Sequence, residues 1–133
     1  MNSQVELKWE KAMHGYVPKD AFANAGHDME KFTGQKLNMY VSRAMHEGHM
    51  LPGKVVPARG CAYVCFNGSE YQKNMDYEVL CGQNFTWLST TANEPPPLNA
   101  VPGGWTADQP SEQLFIGRAE CNNAQVIGKV LEK

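Results

Sequence analysis

No apolar stretch in these 133 residues approaches the ~20 that a membrane-spanning helix needs, so bilayer insertion is not expected. Charge of one sign is also missing. Lys and Arg total 12 against 14 Asp and Glu, a net charge of −2, with the cations scattered singly. Without a basic stripe to neutralise phosphates, nucleic acid and anionic membrane surfaces are poor partners. The start, Met1-Asn2-Ser3-Gln4-Val5-Glu6-Leu7-Lys8, carries no apolar signal core, which points to a cytoplasmic protein or one released by a non-classical route.

Cysteine is sparse: Cys61, Cys65, Cys81 and Cys121. In a strand, Cys61 and Cys65 share a face but lie roughly 13 Å apart, too far to bond each other or to grip one metal. Reduced, mostly buried thiols are therefore expected. Complete catalytic signatures are missing too. There is no Ser-His-Asp order, nucleophile elbow or close carboxylate pair. Gly48-His49-Met50-Leu51-Pro52-Gly53-Lys54 imitates a phosphate-binding loop, but Val55 stands where magnesium needs Ser or Thr, and a β-like segment follows. His46 and His49 flank Glu47-Gly48, with His14 and His27 elsewhere; exposed turn histidines are expected rather than a metal site. The expectation is a protein that is not an enzyme and needs no cofactor or metal.

What the sequence does contain is a repeat. Trp9 and Trp87 lie 78 residues apart, and Pro18-Lys19-Asp20-Ala21-Phe22 is echoed by Pro97-Leu98-Asn99-Ala100-Val101. Ala25-Gly26-His27-Asp28 falls opposite Gly103-Gly104-Trp105-Thr106. At an offset of 75, Met39–Ala44 matches Leu114–Ala119, and Gly53-Lys54-Val55 matches Gly128-Lys129-Val130. Residues 1–82 form the first copy and 83–133 a shorter second one, which stops three residues after its Gly-Lys-Val. A half of this size is marginal alone, so the two are expected to need each other.

Local patterning is β throughout. Leu37–Ala44 alternates with β-branched and aromatic residues, Tyr71–Leu80 contains another strand, and Asn67-Gly68 is a hairpin signal. Lys11–Phe22 has room for one helical turn; Glu94-Pro95-Pro96-Pro97 and Pro102-Gly103-Gly104 are breaks. The fold class expected is all-β, with two tandem pseudo-symmetric antiparallel repeats of which the second is incomplete.

Asp28 and Lys54 are the polar residues of interest, because each sits where a loop meets a strand. A carboxylate accepts from two sugar hydroxyls and an ammonium donates up to three bonds. The simpler alternative is a surface salt bridge worth about 0–1 kcal/mol. Residue chemistry alone favours the salt bridge.

The string Leu37–Ala44, Gly48, Leu51-Pro52-Gly53-Lys54-Val55, Cys61-Ala62-Tyr63-Val64, Gly68, Glu70 and Tyr77-Glu78-Val79-Leu80 resembles the DM-nine repeat. That family includes mannose-specific lectins of bivalves, and the likeness runs from Trp9 to Val130. It implies paired antiparallel β units in a homodimer, binding mannose through loop residues in innate recognition. Asp28, with His27 in the preceding aromatic position, matches the lectins' aspartate, and Lys54 matches their Pro-Gly-Lys lysine. The resemblance thus favours a binding role for both. In the second copy Lys129 remains, but Thr106 and Ile127 stand at the aspartate and proline positions, so a competent first site and a weak or dead second one are expected. The alternatives are a protein-interaction scaffold of the stress or immune response and, last, a small-molecule or glycan enzyme resting on the histidines.

Overall fold

The computed structural model describes residues 7–91, 94–108, 112–121 and 124–131. Among these lie strands β1 (Lys8–Ala12), β2 (His27–Met29), β3 (Lys36–Asn38), β4 (Tyr40–His46), β5 (His49–Val56) and β6 (Cys61–Phe66). They continue as β7 (Ser69–Lys73), β8 (Tyr77–Cys81), β9 (Pro102–Trp105), β10 (Gln113–Cys121) and β11 (Ala124–Leu131). Every pairing between them is antiparallel. The chain is all-β, as its patterning predicts.

The local signals work as turn chemistry requires. Glu47-Gly48 and Asn67-Gly68 both hold positive φ at both positions (49° and 83°; 51° and 80°), the primed geometry that suits two-residue hairpins. They join β4 to β5 and β6 to β7. The helical turn expected within Lys11–Phe22 does not form. His14 and Gly15 adopt positive φ, and Ala21 instead bridges to Cys81. A 3-10 turn occurs at Pro57–Arg59, started by the proline and closed by Gly60 in the left-handed region. The Leu37–Ala44 run breaks at Met39, which separates β3 from β4 and is itself buried.

β5 organises the molecule. It pairs with β4 from His49 to Val55, with β6 from Gly53 to Val56, and with β9 at Met50. One edge of the strand therefore serves two neighbours in turn. Pro52, which has no N–H to donate, sits at the changeover, where a ladder tolerates proline. Leu51 to Val56 are all buried, because both faces of the strand are covered. One face joins Ala44, Leu51, Val55, Val64, Tyr77 and Val79 in a core. The other packs Phe22, Met39, Val41, Val56 and Leu80 against Ile127 of β11.

The repeat reappears in the hairpin registers. Val41 faces Lys54 in β4–β5, and Ile116 faces Lys129 in β10–β11, the same pairing shifted by 75 residues. His27 pairs Asn38, as Trp105 pairs Gln113. The halves also clasp each other. Trp105 pairs with Met50, and the His27 amide donates to Gln125 Oε1 at 3.1 Å.

Candidate functional site

Lys54 lies on the doubly covered strand β5 and is only 4% exposed. An ammonium there needs counter-charges, since burying it alone costs several kcal/mol. Asp28, 7% exposed, supplies the first: Lys54 Nζ lies 2.6 Å from its Oδ2. Glu70 supplies a second at 3.0 Å. Arg59 Nη1 donates to the same Asp28 oxygen at 2.8 Å, and its Nη2 to the Met29 carbonyl at 3.0 Å. The Met29 amide donates to Asp28 Oδ1 at 2.7 Å. Two cations and two carboxylates thus form one balanced cluster.

Each member is placed by a local feature. β2 carries Asp28 across the sheet face onto Lys54. The Pro57–Arg59 turn aims Arg59 back at Asp28. The Asn67-Gly68 hairpin sets Glu70 opposite Cys65, two residues beyond Tyr63, the residue that faces Lys54. The Tyr63 ring backs both cations, with Lys54 Nζ at 5.5 Å and the Arg59 guanidinium at 5.9 Å from its centroid.

The electrostatics follow. Burial on its own pushes the Asp28 carboxyl up, but the hydrogen bonds from Lys54, Met29 and Arg59 with the Lys54 charge reverse this and hold it below the usual range. Burial also works against the Arg59 cation, and Asp28 more than restores it. Burial first, then the neighbouring Cys61, pushes the Tyr63 phenol up to about 12, so it stays neutral.

Asp28 and Lys54, singled out in the sequence, therefore meet directly. They form a buried pair, so the surface salt bridge is replaced by an internal one. Lys129 does not join them. It is exposed, with its Nζ 5.8 Å from the Phe66 centroid and no ion-pair partner among the described residues. Sequence reasoning assigned no role to Arg59 or Glu70. Glu70 stands in the family-like string, but Arg59 follows Pro57-Ala58 with no signal that it turns back 31 positions to Asp28. Their side chains are 29% and 44% exposed, and they are the cluster's openings to solvent.

The histidines need a correction. His46 and His49 are not exposed turn residues but half-buried partners across the hairpin. His46 stacks on Tyr71 at 4.3 Å, its Nδ1 lies 3.0 Å from Lys73 Nζ, and His49 packs on Phe66. Strand geometry there also removes the phosphate-loop reading, since Gly48–Lys54 leads into no helix. A cleft of about 980 Å³ lies elsewhere, between Phe85, Trp87, Leu88 and Pro97 on one side and Phe22, Val41, Leu80 and Arg118 on the other. It holds none of the four charged cluster residues, and the cluster's chemistry, not cleft size, marks the candidate site.

A comparison with curated proteins found no match. The family model described as the DM9 repeat matches residues 34–133, which include Lys54, Arg59, Glu70 and Lys129 and begin six residues after Asp28. With most of its length matched, the chain belongs to the DM9 repeat family.

Proposed function

We propose that this protein is a metal-independent lectin for mannose-type glycans, binding without turnover and serving innate recognition. The observation that carries the reading is the balanced Asp28–Lys54–Arg59–Glu70 cluster, opened to solvent by Glu70 and Arg59 beside the Tyr63 ring. Glu70 has a carboxylate oxygen pair to accept from vicinal hydroxyls, while the Arg59 guanidinium donates to sugar oxygens. Asp28 and Lys54 hold those groups in position from below. A divalent cation has no role in this arrangement, because the two carboxylates are already balanced by Lys54 and Arg59. A single such site is weak, so pairing of two chains is part of the proposal: two sites per assembly raise avidity on a glycan surface.

The test is a mannan and glycan-array titration in the presence of chelator. Binding that survives chelator and falls at least tenfold in Glu70→Gln and Arg59→Ala, with both variants shown to be folded by circular dichroism, supports the reading. A folded wild-type protein that leaves every glycan unbound sinks it. The burial of the Asp28–Lys54 pair favours one rival: a purely structural clamp between β2 and β5 inside an interaction scaffold. That rival predicts a partner protein whose binding ignores free mannose and ignores Glu70→Gln.

A further inference from the structure

A second cleft, of about 350 Å³, lies between β1, β4, β9 and β10 and is lined by Trp9, Arg43, Trp105 and Gln113, with Leu7 and Pro102 at its sides. Its volume is at the lower end of the ~300–1,000 Å³ typical of ligand sites, the scale of one sugar ring. Trp105 is half-buried, yet among the described residues no aromatic ring or cation stacks on it. Trp87, by contrast, is covered by Arg118 at 4.2 Å and donates to the Asn24 carbonyl. Trp9 is covered on one side by the Arg43 guanidinium at 4.3 Å.

The side chains that line this space bring several donors: the Trp9 and Trp105 indoles, Arg43 and Gln113. Neither the Trp9 nor the Trp105 indole N–H has an acceptor among the described residues. Arg43 uses Nε on Glu78 at 2.7 Å and leaves its terminal nitrogens without a protein acceptor among the described residues. The register sets Gln113 opposite Trp105, with its exposed carboxamide beside the ring. Glu78 balances the Arg43 charge, so the cleft combines donors with the Trp105 ring and carries no net charge. In the first half the matching pair is His27 opposite Asn38, with no indole. The second half thus has Thr106 at the aspartate position but carries an indole where the first half has the His27 imidazole.

We propose that this cleft is a second binding site, which takes the uncharged pyranose ring of a glycan against the Trp105 indole that lines it. The ring's apolar C–H face stacks on the indole, and its hydroxyl and ring oxygens accept from Arg43, Gln113 and the indole N–H groups. The site stands on its own residues and does not depend on the Asp28 cluster.

The chain has three tryptophans, so indole N–H resonances of the ¹⁵N-labelled protein read the site directly. Trp9→Phe and Trp105→Phe variants assign the signals. Mannotriose, chitobiose and glucuronic acid are titrated separately at millimolar concentration. Saturable shifts of the Trp9 and Trp105 signals with a neutral probe, the Trp87 signal staying still, are the expected result. Trp105→Ala then weakens that binding about three- to tenfold, and Glu70→Gln leaves it unchanged. Indole signals that stay still with all three probes overturn the proposal, and a response to glucuronic acid alone overturns the uncharged class. Shifts lost in Glu70→Gln also overturn it, because they assign the effect to the Asp28 cluster. Loss of array binding in Glu70→Gln with the indole shifts intact leaves both sites standing as separate.

Discussion

Asp28 accepts from Lys54, Arg59 and its neighbour's amide in a setting that leaves it 7% exposed. Removing one side of such a pair strands the other charge, so Asp28→Ala is expected to lower unfolding free energy by about 3–5 kcal/mol, read by urea denaturation. The same contacts set a pH dependence. Because the folded carboxyl titrates below its unfolded value of about 3.9, its contribution is fully present above that pH and is lost as pH falls through the lower folded value. Melting curves between pH 6 and acid should therefore slope less steeply below about pH 4 in Asp28→Asn. Burial first, then the Glu10 side chain accepting from its Sγ, pushes the Cys81 thiol up to about 12. With almost no thiolate at pH 8, Cys81 should resist iodoacetamide in the folded protein and react once it unfolds, as mass spectrometry of the labelled peptides will show.

At the scale of elements, β5 works only because its glycine has no side chain. A Cβ at Gly53 would run into the Tyr63 carbonyl of β6. Gly53→Ala should therefore push β6 away and misplace Tyr63, with about 1–3 kcal/mol of lost stability by denaturation and weakened glycan binding. The hairpins were readable beforehand: Asn67-Gly68 is a turn dipeptide in any sequence, alternation marks the run that contains β4, and the apolar run Cys61–Phe66 reads as a strand. The break at Met39 was not readable, because an apolar residue inside an alternating run continues the pattern. Only its burial under the second core ends the strand. Arg59 was hidden for a related reason, since no periodicity announces a 3-10 turn three residues long. The pairing of His46 with Lys73 and the aromatic rings also depends on register across strands, which spacing within one strand does not report.

At the scale of the whole molecule, the halves complete each other. Ile127 and the partly buried Ile116 and Trp87 close the core that begins with Phe22, Met39 and Val41. A chain of residues 1–82 should therefore fail to fold, giving a broad, low-dispersion NMR spectrum. The intact chain should unfold in one transition that coincides by fluorescence and circular dichroism. A Cβ at Gly104 would strike the Met50 carbonyl, so Gly104→Ala is expected to loosen the join between halves and lower that single melting temperature.

The sequence by itself determined the all-β class, the hairpin turns and the recurrence of one register at 75 residues. These rest on nearest-neighbour stereochemistry and on alternation, which are local. It also singled out Asp28 and Lys54, through a family likeness, but the loop-end positions expected of them are not what forms: both lie within strands, Asp28 at the centre of β2 and Lys54 inside β5. Tertiary structure alone decided that the two are buried together, that Arg59 and Glu70 share their charge, and that Lys129 stands apart over Phe66. Ion pairs and cores form between segments brought together by folding, and their partners are fixed by sheet order rather than by distance along the chain.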